Sequence, residues 1–488
     1  MVMGITTTVI EVEGVAMSET EEDFTFLTES AKEHFYIPAR REAAAPFVGL
    51  NADIVKRISD ANGDPDWLRE LRLESLEVFQ RLPMPEGWAP EELAQLDFDK
   101  LSYFSESEDE VAEDWSEASE PVRETFDRLG VVKESETFLG GLKAQMDSNM
   151  VYGTLQKELQ EQGVVFVDSV TGLRDYPELF REWFGKVVSF HGNKFSALNT
   201  AVFSGGAFVY VPKGVKVGLP LKSYFRMNEA ACGQFGRTLI VLDEGSELTF
   251  MEGCSAADHN ASSLHASVGE IVALPGSSLQ YVTFQNWSKR IFNLVQMRAR
   301  AFEGAHMKWL DCNVGGQLTM KYPATELVGR GARSEIVSIG FASTGQRQDT
   351  GGKMIHRADK TASSIVSKSI SLGKGRASYR GLVDVAPEVS GCKNNTECDA
   401  LLIHTNSRTD TYPAITVKGD RNSVQHEASI SKISEEQIFY MRQRGLGEDE
   451  AVSLSINGFI NDLVREFPME YSASLKRLVE LEMEGSVG

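Results

Sequence analysis

The chain has 488 residues, 42% of them hydrophobic, with 49 basic against 71 acidic side chains and a formal charge of −22. That length exceeds one compact core and implies two or three domains, while the acidity argues against non-specific binding to nucleic acid or an anionic membrane. Five cysteines, an odd number in so long a chain, make no disulfide framework and suit a reducing compartment, so a cytoplasmic location is expected.

The opening stretch MVMGITTTVIEVEGVAM has no basic n-region and carries Glu11 and Glu13, which argues against a signal peptide. Met17 could equally be a downstream start, and residues 1–34 read as a loosely ordered tail. No apolar run reaches the roughly 18 residues that suggest a membrane span. From Asn51 to Pro83 apolar residues recur at three- and four-residue spacing (Ile54, Ile58, Trp67, Leu68, Leu71, Leu76, Phe79), which predicts helices stopped by Pro83 and Pro85. The acidic run 105–120 reads as a solvated loop. Helical pattern returns at Pro121–Leu129 and near Met146–Leu159, so 35–160 is expected to be a mainly helical domain.

Beyond Gly163 the texture becomes β-branched and glycine-rich, with strand-like runs at Val164–Val167, Ala207–Val211 and Leu239–Leu242. A small-residue turn followed by alternating side chains then recurs from Gly245, Gly276, Gly304 and Gly331, with a fainter copy from Lys360, at spacings of roughly 27 to 31 residues. One such unit has too little apolar surface to stand alone and must stack on its neighbours. The expected fold is therefore mainly β, a β-solenoid over 161–432. Residues 433–488 turn helical again: Ser434 with Gln437 makes a capping box, Gly445 ends the first helix, Val452–Phe467 carries one apolar stripe, and a third helix runs from Ser472 to about Glu484. These helices are expected either to cap the solenoid or to dock a partner.

Soft metal ligands gather in Gly391–Lys432, which holds Cys392, Cys398, His404, His426 and Glu427. Thiolate, imidazole and carboxylate are ligands for thiophilic metals and iron–sulfur clusters. Ala414–Val417 and Val424–Glu427 read as two strands joined by a turn at Lys418–Asp420. The spacing fits no zinc ribbon or ferredoxin pattern, and Ile430 stands where the second His of His-Glu-x-x-His would be. Asp258, His259 and His265 near Cys254 form a weaker second group, while Cys232 and Cys312 read as packing residues. Gly351-Gly352-Lys353-Met354 lacks the first glycine and the Ser/Thr of a phosphate-binding loop, so no direct ATP binding is expected. No Gly-x-Ser-x-Gly elbow supports a hydrolase.

The runs Tyr224–Asn228, Glu252–Ala256, Gln285–Trp287, Lys353–His356, Ser378–Val383, Cys398-Asp399, His426–Ser429, Gln437–Tyr440 and Ser486–Gly488 resemble, in order, the SufB branch of the SufB/SufD family of iron–sulfur cluster assembly proteins. The resemblance extends from about Phe35 and is strongest after Val209. It implies a right-handed parallel β-helix between helical terminal domains, and a scaffold rather than an enzyme. It further implies that Cys254 receives sulfur, that Arg226, Asn228, Gln285 and Trp287 line a relay channel, and that Cys398, with Glu427 and His426, holds the product. The implied cargo is a transient iron–sulfur cluster, with the 4Fe–4S form expected, and reduced flavin is a candidate electron source.

The implied partners are the ATPase SufC on the C-terminal helices, SufD or a second SufB copy as the other protomer, a cysteine desulfurase with its sulfur carrier, and apoprotein acceptors; no nucleic acid and no membrane are implied. Gln425 departs from members with Glu at that position, and no Cys precedes Cys232. Other readings are a SufD-like structural subunit and, in a different class, a β-helical carbohydrate-active enzyme. A purely structural interaction solenoid would predict no metal phenotype on replacing Cys398.

Overall fold

The computed structural model describes residues 46–476 apart from 87–88, 106–110, 113, 130, 132–138, 420 and 470. The expected N-terminal tail, part of the acidic run, the end of the last helix and the closing Ser486–Gly488 lie outside the described residues.

The corner of each repeat sets the architecture. Gly245, Gly276, Gly304, Gly331 and Gly391 all adopt left-handed backbone, and Lys360, the faint copy, adopts the same conformation at φ 58°. Each corner donates its N–H to the next coil, from Gly245 to Pro275 through Lys360 to Ser390 and Gly391 to Arg421. Every turn therefore starts in register with the last. From Arg333–Ala342 onward consecutive strands alternate between the two sheets, as a solenoid requires.

The first sheet stacks Leu221–Met227, Glu247–Ala256, Ser278–Trp287, His306–Gly315, Arg333–Ala342, Ala362–Ser371, Lys393–Leu402 and Ser423–Lys432, all parallel. The second sheet runs from Phe208–Val211 and Arg237–Leu242 through Ile291–Ala301, Arg347–His356 and Arg376–Val385 to Arg408–Val417. Side chains alternate across each strand. Phe250, Tyr281, Trp309, Ile336 and Ile365 form one inward column of the first sheet and meet Ile271, Val295, Met297 and Met354 of the second in a shared core.

Helices cover both outer faces. Ala52–Asn62, Asp66–Arg81 and Lys194–Val202 share a core with Phe292, Leu294 and Leu318 of the second sheet. Arg72 anchors this layer through a buried bond to Asp64 at 2.6 Å and a second to the Phe203 carbonyl at 3.0 Å. Arg237 and Glu270 form another buried pair, and Glu270 also accepts the main-chain N–H groups of Gly185, Val187 and Val188.

At the other end of the chain the Ser434 hydroxyl accepts from Gln437 N–H and caps Glu435–Gln443, and Glu448–Val464 follows. Its stripe, with Ile456 and Ile460, packs on Leu310, Ile339 and Phe341, the outward residues of the first sheet. The described C-terminal helices therefore lie along the side of the solenoid, and among the described residues the last coil stays exposed.

Two expectations need correction. Residues 149–155, expected to be helical, form a strand antiparallel to Gly141–Met146, which itself extends the first sheet. Its alternating Met150, Tyr152 and Thr154 suit a strand once a sheet edge is available, so tertiary context overrides the weak helical spacing. Conversely, Ser169–Asp175, Pro177–Trp183 and Lys194–Val202 are helices inside the stretch expected to be solenoid. Asp168 and Asn193 side chains cap two of them, a start signal that the strand reading passed over.

Candidate functional site

Strand register makes the site. Seven residues after each corner stand Glu252, Thr283, Asp311, Ser338, Ser367 and Cys398, and sheet pairing places these six in one column. They face inward, because two residues earlier on the same strands stand the core side chains Phe250 to Ile365, and Cys398 itself belongs to that core. Five coil-to-coil steps of about 4.8 Å make the column about 24 Å long. A line of buried polar side chains thus runs through an otherwise apolar interior.

At one end lies Cys254, buried and two residues beyond Glu252. Its thiol donates to Glu252 Oε1 at 3.9 Å, and Glu252 Oε2 accepts from Tyr281 at 2.8 Å. Burial pushes the Cys254 thiol well above its ordinary range, and the neighbouring Glu252 carboxylate adds to that. Burial also raises Glu252, against the opposing charge of Lys321. One coil on, Thr283 Oγ1 donates to Asp311 Oδ1 at 2.5 Å, and Lys321 from the second sheet reaches both, at 2.6 and 2.7 Å.

The column beside this one runs Cys254, Gln285, Asn313. Gln285 Nε2, Asn313 Oδ1 and Ser338 Oγ are buried with no hydrogen-bond partner. A buried polar atom left unpaired costs about 1–3 kcal/mol. Two of the three lie in the Cys254 column and the third, Ser338, in the Glu252 column beside it, so the unpaired atoms sit on adjoining interior lines.

The other expected relay residues divide. Trp287 faces inward, lies tilted against His265 with ring centroids 4.7 Å apart and donates to Gln285 Oε1 at 3.1 Å. Arg226 alternates to the face opposite Phe225 and Met227 and is buried there, where it donates to Ser255 Oγ at 3.2 Å. Asn228 follows that strand, with its N–H on Asp147 Oδ1 and its carbonyl against His259 Nε2 at 2.7 Å. His265 is held neutral by burial, its pKa lowered to about 3, between Gln234 and Ser267. Cys312 packs under the C-terminal helices and Cys232 lies in the small apolar cluster around Cys254.

At the far end stands Cys398, itself buried. Cys398 Sγ lies 3.4 Å from His426 Nε2 and 3.6 Å from the Glu427 carbonyl. Its pKa is pushed up to about 11 by burial, then by Asp399 and Glu397. Tyr379, Gly381, Val383, Thr396, Ile415 and His426 line a small cavity beside it. Glu427, one residue on from His426, alternates to the outer, exposed face.

The wider ligand gathering expected in Gly391–Lys432 does not form. Cys392 is tied at a corner to Ala358 and Thr361, and His404 accepts from Gly373 N–H at another. Arg408–Val417 and Ser423–Lys432 are not a hairpin: they belong to different sheets, so neighbours in sequence point to different walls. Among the described residues no three His, Cys, Asp or Glu side chains converge as a metal site. Gly351–Met354, which resembled a phosphate loop, lies within the strand Arg347–His356.

Among the described residues the last two strands, Arg408–Val417 and Ser423–Lys432, are paired on one side only. They expose Tyr412, Ile415, Val417 and Ile430, the last at 57%. An unpaired, apolar sheet edge is a pairing surface.

Comparison with known proteins accounts for this architecture. The model of the SUF system FeS cluster assembly SufBD core domain matches residues 225–459, and that of the SufBD protein N-terminal region matches 143–222. An iron-sulfur cluster assembly SufBD family protein of Staphylococcus epidermidis is 45% identical over 440 residues, covering 90% of this chain and 94% of the relative. The chain belongs to the SufBD family. SufBD family proteins of Staphylococcus saprophyticus and Staphylococcus aureus are 44% identical over the same share of each chain. SufBD membership makes this an iron–sulfur cluster assembly protein with a β-solenoid core, and it removes the ground for a carbohydrate-active reading. No helix among the described residues is long and apolar enough to cross a membrane.

Proposed function

We propose that the chain is the sulfur-accepting scaffold subunit of a SUF assembly complex: sulfur from a cysteine desulfurase and its carrier enters at Cys254, passes through the solenoid and is delivered at Cys398. The observation that carries this reading is the inward column Glu252, Thr283, Asp311, Ser338, Ser367, Cys398, which joins the two thiols by polar groups alone. A sulfur anion in such a passage is shielded from bulk reductants while still finding hydrogen-bond donors.

Cys398 and His426 supply two ligands for a cluster, which is too few to hold one. The remaining ligands come from Glu427 after a turn of its strand or from a second protomer on the exposed edge strands, either the related SufD or another copy of this chain. Phe439, Tyr440, Leu454 and Met469, apolar and exposed on the C-terminal helices, fit a docking face for the ATPase SufC. Cluster transfer to apoproteins follows when that face moves the protomers apart. The cytoplasm is the compartment this chemistry needs.

Anaerobic reconstitution with iron and sulfide, with and without the ATPase and second-protomer partners, tests the delivery end. Wild type gains charge-transfer absorption and a cluster-type Mössbauer spectrum, and Cys398→Ala loses both. Equal iron uptake by the two proteins would remove Cys398 from its assigned role.

A further inference from the structure

The channel needs a cation, and Arg226 does not supply it. Lys321 does: it rises from the second sheet beside Val295, and neither it nor its carboxylate partner Asp311 has more than 2% of its side chain exposed. An ammonium has three N–H donors. Thr283 and Asp311 take two of them. Thr283 is the sheet neighbour of Glu252, and Gln285, the neighbour of Cys254, turns a buried and unpaired Nε2 to the same interior. An unpaired amide donor and a buried ammonium, gathered one coil beyond a thiol, are the complement of an anion attached to that thiol.

We propose that Lys321, held by Asp311 and Thr283 and assisted by Gln285 Nε2, is the positioning residue that keeps sulfur accepted on Cys254 in its anionic persulfide form. This rests on the reading of Cys254 as the sulfur acceptor. The charge of Lys321 already lowers Cys254 and Glu252 against the effect of their burial. In the acceptance step the Cys254 sulfur attacks the outer sulfur of a donor persulfide. The donor S–S bond breaks, a new S–S bond forms on Cys254, the Cys254 proton passes by way of Glu252, and the donor leaves as a protonated thiol. No net oxidation occurs. The new terminal S–H then ionises, with its proton on Glu252 and its charge facing Lys321. The titratable and charged groups around it are Glu252, Tyr281, Asp311, Lys321, Cys232 and His265.

The test uses the full chain, anaerobic, treated with a low-molecular-weight persulfide. The pH dependence of alkylation of the outer sulfur is read at the Cys254 and Cys398 peptides by mass spectrometry. The D311N/K321M double variant removes the cation together with its partner and so leaves no uncompensated buried charge. The ionisation midpoint at Cys254 is expected to rise by at least one pH unit in this variant, which is tenfold less anion at a fixed pH. A wild-type midpoint in the double variant overturns the proposal.

A second comparison needs no variant. In wild type the Cys254 persulfide is expected to ionise at lower pH than one on Cys398, although Cys254 is the more buried thiol. The reverse order overturns the proposal, as does a wild-type Cys254 that takes no sulfur. Sulfur that reaches Cys254 and never Cys398 would instead sink the relay while leaving Lys321 its role.

Discussion

Cys254 and Cys398 lie on equivalent strands of the same sheet, both facing inward, in adjacent columns and at different places along the stack. Cys254 has a coil on either side, through Phe225 and Gln285, and a carboxylate beside it. Cys398 has one coil beyond it, ending at Ala428, and an imidazole beside it. Burial dominates both environments; it raises the first thiol far, and at the second the pKa reaches about 11. Both thiols are buried, and what differs is the neighbour each one has, a carboxylate at Cys254 and an imidazole at Cys398.

The sharpest way to break this contrast is to delete each thiol in turn. With Cys254→Ser, sulfur from a persulfide donor should no longer appear at Cys398, a complete loss measured by peptide mass spectrometry. Sulfur arriving undiminished would mean that Cys398 is loaded without passing through Cys254. Cys398→Ala should leave acceptance at Cys254 at its wild-type rate.

Between the two thiols, Lys321→Met alone strands Asp311 in the core and should destabilise by about 3–5 kcal/mol in urea unfolding. D311N/K321M should regain most of this. If the single and double variants are equally unstable, the packing of the lysine stem matters more than the pair.

The titrations sharpen the comparison further. Alkylation of Cys398 should climb about tenfold per pH unit up to about pH 11, rather than levelling near 8.5 as a free thiol does. In acid, His265 and His356, lowered to about 3 and about 4, are held neutral in the fold. The unfolded chain binds protons near pH 6.5, where the folded chain does not, so stability present above that pH is lost as pH falls toward 3. Each group contributes a slope of about 1.4 kcal/mol per unit within its window. Chemical denaturation from pH 7 to 4 on His265→Gln should show a shallower decline than wild type.

The smallest effect lies at the corner where lysine replaces glycine. Lys360→Gly should stabilise by about 1 kcal/mol, because left-handed backbone penalises a Cβ. A loss of stability on thermal melting would mean that the Lys360 side chain contributes more than its backbone strain costs.

The repeat of corners was legible in the sequence, and with it the solenoid. The column was written there as well: counting seven residues from each corner reaches Glu252, Thr283, Asp311, Ser338, Ser367 and Cys398. Aligning the repeats by their corners, rather than reading ligands along the chain, is the signal that finds it. Proximity in sequence misled at Gly391–Lys432, because a solenoid sends successive strands to opposite walls and the corners hold Cys392 and His404 apart from Cys398. Lys321 was not visible by either route. It comes from the second sheet, and its pairing with Asp311 depends on how two walls face each other across the core.

The most direct measurement is a time course of isotopically labelled sulfur, delivered as a pulse from a cysteine desulfurase to the anaerobic wild-type complex and followed at both cysteine peptides. The account predicts label at Cys254 first and at Cys398 later, with the Cys254 signal falling as the Cys398 signal grows. Label at Cys398 with no prior occupancy of Cys254 would contradict it.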